Sequence, residues 1–276
     1  LQKLGTFLKN IYPNLNFRAI TDSVPFYEQF YAEFTNNVKL GKNHLISLPL
    51  IGSGVFLGEL LLDFDLVTEL LKDNHLQPNA DFLFNEKTNT FKITLFPSQE
   101  EQDLNKLEKY QSTCLTNCQA CQKHCPTKAI NEQEFKVENC ISYLTIECDA
   151  EIPTNLIKAM GLRVYGCDNC QIFCPKNNIT KLNPKFTVDP DFNIRFKEDD
   201  LHLEKLLLLK KEEFTKQFAG TPIMHAGYEK FMRNVFSICA NASPNTQIID
   251  TLKQRITEFP QYKSTILFAL AELTKE

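Results

Sequence analysis

Apolar positions recur every three to four residues at the start of the chain (Leu1, Leu4, Phe7, Leu8, Ile11), which predicts a helix. A strand, Asn16 to Ile20, follows it. Thr21-Asp22-Ser23 ahead of Pro25 reads as a helix start, with capping side chains before a proline near the first turn. A helix over 27–34 comes next. Two apolar runs, 45–50 and 55–64, flank Gly52 and Gly54 and are expected to pair as strands. Segments 82–84 and 91–96 predict a hairpin, and 99–110 a charged helix. From about 198 the period turns helical, over 201–209, 212–218, 228–240, 248–259 and 262–273. Short amphipathic helices joined by tight turns are the pattern of helical-repeat hairpins.

Composition narrows the setting. The 276 residues allow one large domain or two to three small ones. No apolar run approaches the ~18–20 residues that span a membrane, and no signal peptide opens the chain. A cytoplasmic protein with no membrane partner is expected. Leu1 is not a methionine, so an N-terminal part is expected to be missing. A net charge of −4 argues against wholesale coating of nucleic acid but leaves room for a local basic groove. Ten cysteines in a reducing compartment point to metal rather than disulfides.

The cysteines carry the chemistry. Cys118-x2-Cys121-x3-Cys125-Pro126 is echoed by Cys167-x2-Cys170-x3-Cys174-Pro175, with Cys114 ahead of the first run and Cys140 ahead of the second. Thiolate is the soft ligand of iron–sulfur clusters, and in two-cluster ferredoxins the last cysteine of each run ligates the other cluster. That rule assigns Cys114, Cys118, Cys121 and Cys174 to one [4Fe–4S] cluster, and Cys125, Cys140, Cys167 and Cys170 to the second. Cys148 and Cys239 are left as ordinary thiols. Two rivals share these letters. Paired Cys-x2-Cys groups also hold zinc, and Cys114-x3-Cys118-x2-Cys121 spells the triad of radical S-adenosylmethionine enzymes, whose downstream strand–helix barrel is not the helical pattern here.

Longer motifs add a resemblance. Cys140-Ile-Ser-Tyr-Leu-Thr-Ile-Glu147 and Gly161-Leu-Arg-Val-Tyr-Gly-Cys-Asp-Asn-Cys-Gln171 resemble epoxyqueuosine reductases. So do Asn16-Phe-Arg18, Asp22-Ser-Val-Pro25 with Glu28, Gly41-Lys42, Gly52-Ser53, Phe56-Leu-Gly-Glu-Leu60, Gly220-Thr-Pro-Ile223 and Arg233-Asn234. The resemblance implies an α+β chain of three parts: a cobalamin-binding α/β reductase domain at 1–110 with an insertion at 65–110, a two-cluster ferredoxin-like domain at 111–185, and a HEAT-like helical-repeat domain at 186–276. It implies reduction of the epoxide of epoxyqueuosine, at a tRNA wobble position, to queuosine.

The same resemblance implies roles. Asp22 matches the family's proton donor, a task that needs burial to raise a carboxyl pKa. From local sequence alone Asp22 is a helix cap. Asn43, His44, Leu45 and Ile46 follow the Gly-Lys pair that approaches the corrin, and Ser142 and Asp168 face the cofactor from the ferredoxin side. Arg163, Lys176 and Arg233, with Lys39, Lys42 and Lys181, are candidates for anticodon-loop phosphates. A monomer served by an external electron donor such as a flavodoxin or ferredoxin is expected.

The sequence departs from the family in places. Cys114-x3-Cys118 is one residue longer than the family spacing. Tryptophan is absent, with Cys174-Pro-Lys-Asn177 where the family has Cys-Pro-Trp-Asn. Met224-His225 stands where an arginine pair is expected. An electron carrier without a substrate, a reductive dehalogenase and a diverged relative without activity are the other readings.

Overall fold

The computed structural model describes residues 1–33, 38–48, 52–72, 81–85, 90–94, 114–177 and 195–275. They belong to two compact units, Leu1–Cys118 with Lys176–Leu182, and Gln119–Pro175 with Asn183–Glu276.

In the first unit the helix Gln2–Ile11 turns Leu8 inward and leaves its charged face outside. Gly5 lies where any side chain would collide with the Phe17 ring. Strand Phe17–Ile20 pairs antiparallel with Glu59–Leu62, Phe17 opposite Leu62 and Ile20 opposite Glu59. Asn16 closes the end of this ladder. Its amide N–H and side-chain NH₂ donate to the two oxygens of Asp63, at 2.7 and 2.8 Å, and hold that carboxyl below its ordinary pKa.

The expected pairing of 45–50 with 55–64 is not what forms. Ile46–Ser47 instead pairs with Lys39–Leu40, and Leu48 makes one isolated bridge to Gly52. The reason is local. The five residues Gly41 to Leu45 close a tight turn, with Gly41 N–H to Leu45 O and His44 N–H to Gly41 O both at 2.9 Å. Closing so short a loop costs little chain entropy, which leaves the later run free for Phe17–Ile20. The expected hairpin is present as Asp81–Asn85 against Thr90–Thr94. Its turn, its last two residues and the helix expected over 99–110 lie outside the described residues.

The second unit is helical. Ile141–Ile146 and Thr154–Met160 share one core with Leu203–Leu208, Lys211–Phe218, Ile223–Cys239, Thr246–Glu258 and Lys263–Leu273. Ile223–Cys239 breaks at Gly227 (φ +74°), so its regular part begins at Tyr228, where the apolar period placed it. Ile141, Leu144, Ile157 and Met160 are packed with Phe231, Met232 and Phe236. The expected boundary at 185/186 is therefore crossed by a single core. A segment wrapped around clusters has few apolar residues of its own: Cys125, Ala129 and Ile130 are the whole of its separate buried cluster. It borrows the helices' core instead.

Two buried arginines tie this unit together. The Arg233 guanidinium is fully buried and donates to the carbonyls of Leu144, Cys148 and Ala150 and to Asn234 Oδ1. Those carbonyls lie at and beyond the end of Ile141–Ile146, where backbone acceptors lack helical partners. Asn234 Nδ2 adds bonds to Thr145 O (2.8 Å) and Val164 O (3.0 Å). Arg255 does the same for Leu207 O (2.8 Å) and Leu209 O (3.1 Å).

Candidate metal centre

Each Cys-x2-Cys run folds in the same way. The residue before its first cysteine is left-handed, Asn117 at φ +59° and Gly166 at φ +69°. The second cysteine then sits on a single helical turn, Ala120–Lys123 for Cys121 and Asn169–Ile172 for Cys170. Matching backbone bonds close each run, His124 N–H to Ala120 O and Phe173 N–H to Asn169 O, both 3.1 Å. His124 and Phe173 hold equivalent places, one residue before each Cys-Pro. Their rings stack at 3.8 Å and 12°. Asn169 Nδ2 donates to His124 O at 3.0 Å. The two runs thus form a paired unit with approximate two-fold character, which the repeated letters foreshadow.

Cys140 caps the helix Ile141–Ile146 and packs with Cys121, Cys125 and Cys170 around Ala129 and Ile130. The Cys170 thiol is pushed up to about 12, first by burial and then by Cys167, Cys140, Cys121 and Cys125. Cys167 is raised for the same reasons, burial first, with Cys140 and Cys125 adding to it. Sulfurs crowded like this resist losing their protons unless a cationic centre neutralises them. That donor set fits a metal cluster, and the crowding takes in Cys121 as well as Cys125, Cys140, Cys167 and Cys170. All ten cysteines are free thiols, so disulfides do not account for the spacing. Among the described residues no three His, Cys, Asp or Glu side chains converge tightly enough for one metal ion.

Cys114 and Cys118 belong to the first unit. Lys42 reaches both: its backbone N–H lies 3.4 Å from Cys114 Sγ and its Nζ donates to Cys118 O at 3.0 Å. Asn43, His44 and Leu45 occupy the same turn, with Asn43 Oδ1 accepting from Leu45 N–H at 3.3 Å and His44 exposed at φ +58°. Ile46 is 5% exposed. That burial sets its side chain on the core side of the turn, whereas Asn43 and Leu45 are half-buried and His44 is exposed. In the second unit Ser142 lies half-buried in the first turn of Ile141–Ile146, and exposed Asp168 caps Asn169–Ile172.

Asp22 does not cap the helix Glu28–Glu33, which begins six residues later. It is exposed, on a left-handed turn at φ +44°, and its own N–H donates to Glu28 Oε1 at 2.8 Å. Glu28 in turn raises the pKa of Glu59, after burial as the first cause, and Glu59 Oε2 is buried without a partner. The burial expected of Asp22 belongs to Glu59 instead. Sequence reading missed this carboxyl pair, although both residues sit in motifs that it quoted.

Three basic candidates divide. Arg233 is a correction: its charge is spent inside the second unit and cannot reach a phosphate. Arg163 is also committed, donating to Met160 O (2.8 Å) and Asn169 Oδ1 (3.0 Å), and so braces the second cysteine turn. Lys176 stays half-buried beside Asn177, whose Oδ1 accepts from Ser53 N–H at 2.7 Å. Gly52 (φ +85°) leaves room for that approach, since a Cβ there would sit 2.0 Å from Asn177 Oδ1. Lys181 lies outside the described residues.

Residues 113–177 match the 4Fe-4S double cluster binding domain. An epoxyqueuosine reductase of Escherichia coli is 33% identical over 273 residues, covering 99% of this chain and 61% of that protein. The chain thus spans about three fifths of the length of such relatives. Among solved structures, an epoxyqueuosine reductase with an epoxyqueuosine-modified tRNA-Tyr stem loop aligns with a TM-score of 0.69 at 19% identity, covering 99% of this chain and 62% of that one. A Bacillus subtilis epoxyqueuosine reductase, described with its catalytic aspartate loop swung out of the active site, aligns at 0.67 and 20%, covering 99% and 62%. These structural likenesses establish the fold: a mixed, helix-rich chain with a four-iron cluster domain.

Proposed function

We propose, from the premise that this chain belongs to the epoxyqueuosine reductase family, that it is the greater part of an enzyme reducing the epoxide of epoxyqueuosine in tRNA to the alkene of queuosine. The observation that carries the reading is the paired cysteine unit. Its repeated turns and its crowded, raised thiols at Cys167 and Cys170 suit two electron-storing clusters. Removing the epoxide oxygen as water takes two electrons and two protons, and clusters pass electrons singly.

Cobalamin, when bound, would supply a low-valent cobalt as nucleophile or electron source. Asn43, His44 and Leu45, with Ser142 and Asp168, are the residues that would hold it. Asp22 would give the epoxide oxygen its proton as the C–O bond breaks. Its exposed left-handed turn is tied to the following helix by the Asp22 N–H bond to Glu28, which suits a loop that closes over substrate. The relative with its catalytic loop swung out supports that reading. The partners are the tRNA anticodon loop and an external donor, a flavodoxin or a ferredoxin, acting on a monomer. Arg163 and Arg233 are committed internally, and the exposed Lys39 would meet phosphate. The α/β reductase and HEAT-like descriptions of the two ends belong to the same proposal. No helix among the described residues is long and apolar enough to cross a membrane.

The test is nucleoside analysis of tRNA from cells lacking the gene. Epoxyqueuosine should accumulate and queuosine should disappear, and the full-length gene should restore it. Normal queuosine with no epoxide would end the proposal.

A further inference from the structure

The turn Gly41 to Leu45 makes a contact that the proposed chemistry has not used. Its two backbone bonds fix the peptide that follows Gly41. A Cβ at Gly41 would meet Asn43 Oδ1 at 2.6 Å, so a larger residue there would displace the Asn43 side chain that accepts from Leu45 N–H. The fixed peptide aims the Lys42 N–H at Cys114 Sγ, 3.4 Å away, and the Lys42 ammonium caps the Cys118 carbonyl at 3.0 Å. One residue therefore sets a hydrogen-bond donor on one assigned cluster ligand and a positive charge on the peptide of the next.

We infer that Lys42 tunes the reduction potential of the cluster to which Cys114 and Cys118 belong, and of that cluster alone. The physics is direct. Reduction adds one negative charge to a cluster and its sulfurs. A donor at a ligand sulfur and a nearby cation both stabilise that charge, and hydrogen bonding and net charge are among the determinants of cluster potentials. The other assigned ligands have neighbours of their own, Thr127 Oγ1 at 3.7 Å from Cys125 Sγ and an Asn169 N–H with the Arg163 charge at Cys167, and none of these comes from the Lys42 turn. Lys42 is a positioning residue here: it acts through the ligands.

The inference rests on the two-cluster reading and not on the tRNA reaction. The experiment is an anaerobic spectroelectrochemical titration, followed by electron paramagnetic resonance, of the full-length holoprotein and of Lys42→Met, Lys42→Arg and Cys114→Ser. Lys42→Met keeps the stem and removes the charge. It should lower one midpoint, by up to tenfold in the reduction equilibrium or about 59 mV for one electron, and leave the other in place. Lys42→Arg should stay with the parent, and Cys114→Ser should disturb the same midpoint as Lys42→Met. Unchanged midpoints in Lys42→Met would overturn the inference, as would equal shifts in both or a shift only in the one that Cys114→Ser leaves alone. Loss of half the iron in Lys42→Met would also overturn it, by making the lysine a structural clamp. A parent protein without iron would instead remove the two-cluster reading itself.

Discussion

Replacing Arg233 with methionine tests whether a charge read from sequence as an RNA contact is a structural staple. The substitution keeps the aliphatic stem and deletes a guanidinium that is wholly buried. Three carbonyls, those of Leu144, Cys148 and Ala150, lose their donor at once. Each stranded acceptor costs about 1–3 kcal/mol. Relief of the arginine's own desolvation, which already pulls its pKa down, offsets part of the total. Breaking a buried charged network from one side typically leaves a net loss of about 3–5 kcal/mol. Set against the ~5–15 kcal/mol that holds a typical protein folded, the loss is severe. The assay is anaerobic urea unfolding followed by circular dichroism, with Arg233→Lys alongside. Lysine retains the charge but lacks the fork that reaches several carbonyls at once, so it should rescue only in part. An unchanged midpoint for Arg233→Met at an unchanged slope, together with weakened RNA binding, would refute the reasoning and return Arg233 to the nucleic-acid surface.

Gly52→Ala forces a side chain into a left-handed position 2.0 Å from Asn177 Oδ1 and should destabilise the protein by about 1–3 kcal/mol. A thermal melt checks it, and an unshifted transition would deny the close approach. The folded-state pKa of Glu59 lies above its ordinary value of 4.5, so its contribution to stability is full below 4.5 and is lost as pH rises through the raised value. Glu59→Gln should flatten that part of the urea-midpoint profile, and an unaltered slope would show that Glu59 ionises freely. Cys170→Ala should lose the second cluster's iron, whereas Cys239→Ala, at a buried thiol outside the paired unit, should keep full iron content; equal losses would contradict the ligand assignment.

The helices of the second unit were legible because a 3.6-residue period survives packing: the segments over 212–218, 248–259 and 262–273 form within two residues of their expected limits. The cysteine unit was legible because its ligands are local in sequence. What sequence hid was anything decided by partners far along the chain. Alternation marks 45–50 and 55–64 as strands equally well, and only the Gly41 turn decides which neighbour each takes. A buried and an exposed arginine are the same letter, and the carbonyls that claim Arg233 lie more than eighty residues away. The carboxyl pair Glu28 and Glu59 was likewise hidden, since two glutamates thirty-one positions apart carry no mark of sharing a site.

The account turns on the number and kind of metal atoms held by eight thiols. Iron and acid-labile sulfide should be counted against protein in an anaerobic preparation of the full-length chain, with zinc measured in the same sample. Two four-iron clusters predict roughly eight iron and eight sulfide per chain with negligible zinc. Stoichiometric zinc, or iron at half that level in a fully folded sample, would contradict it.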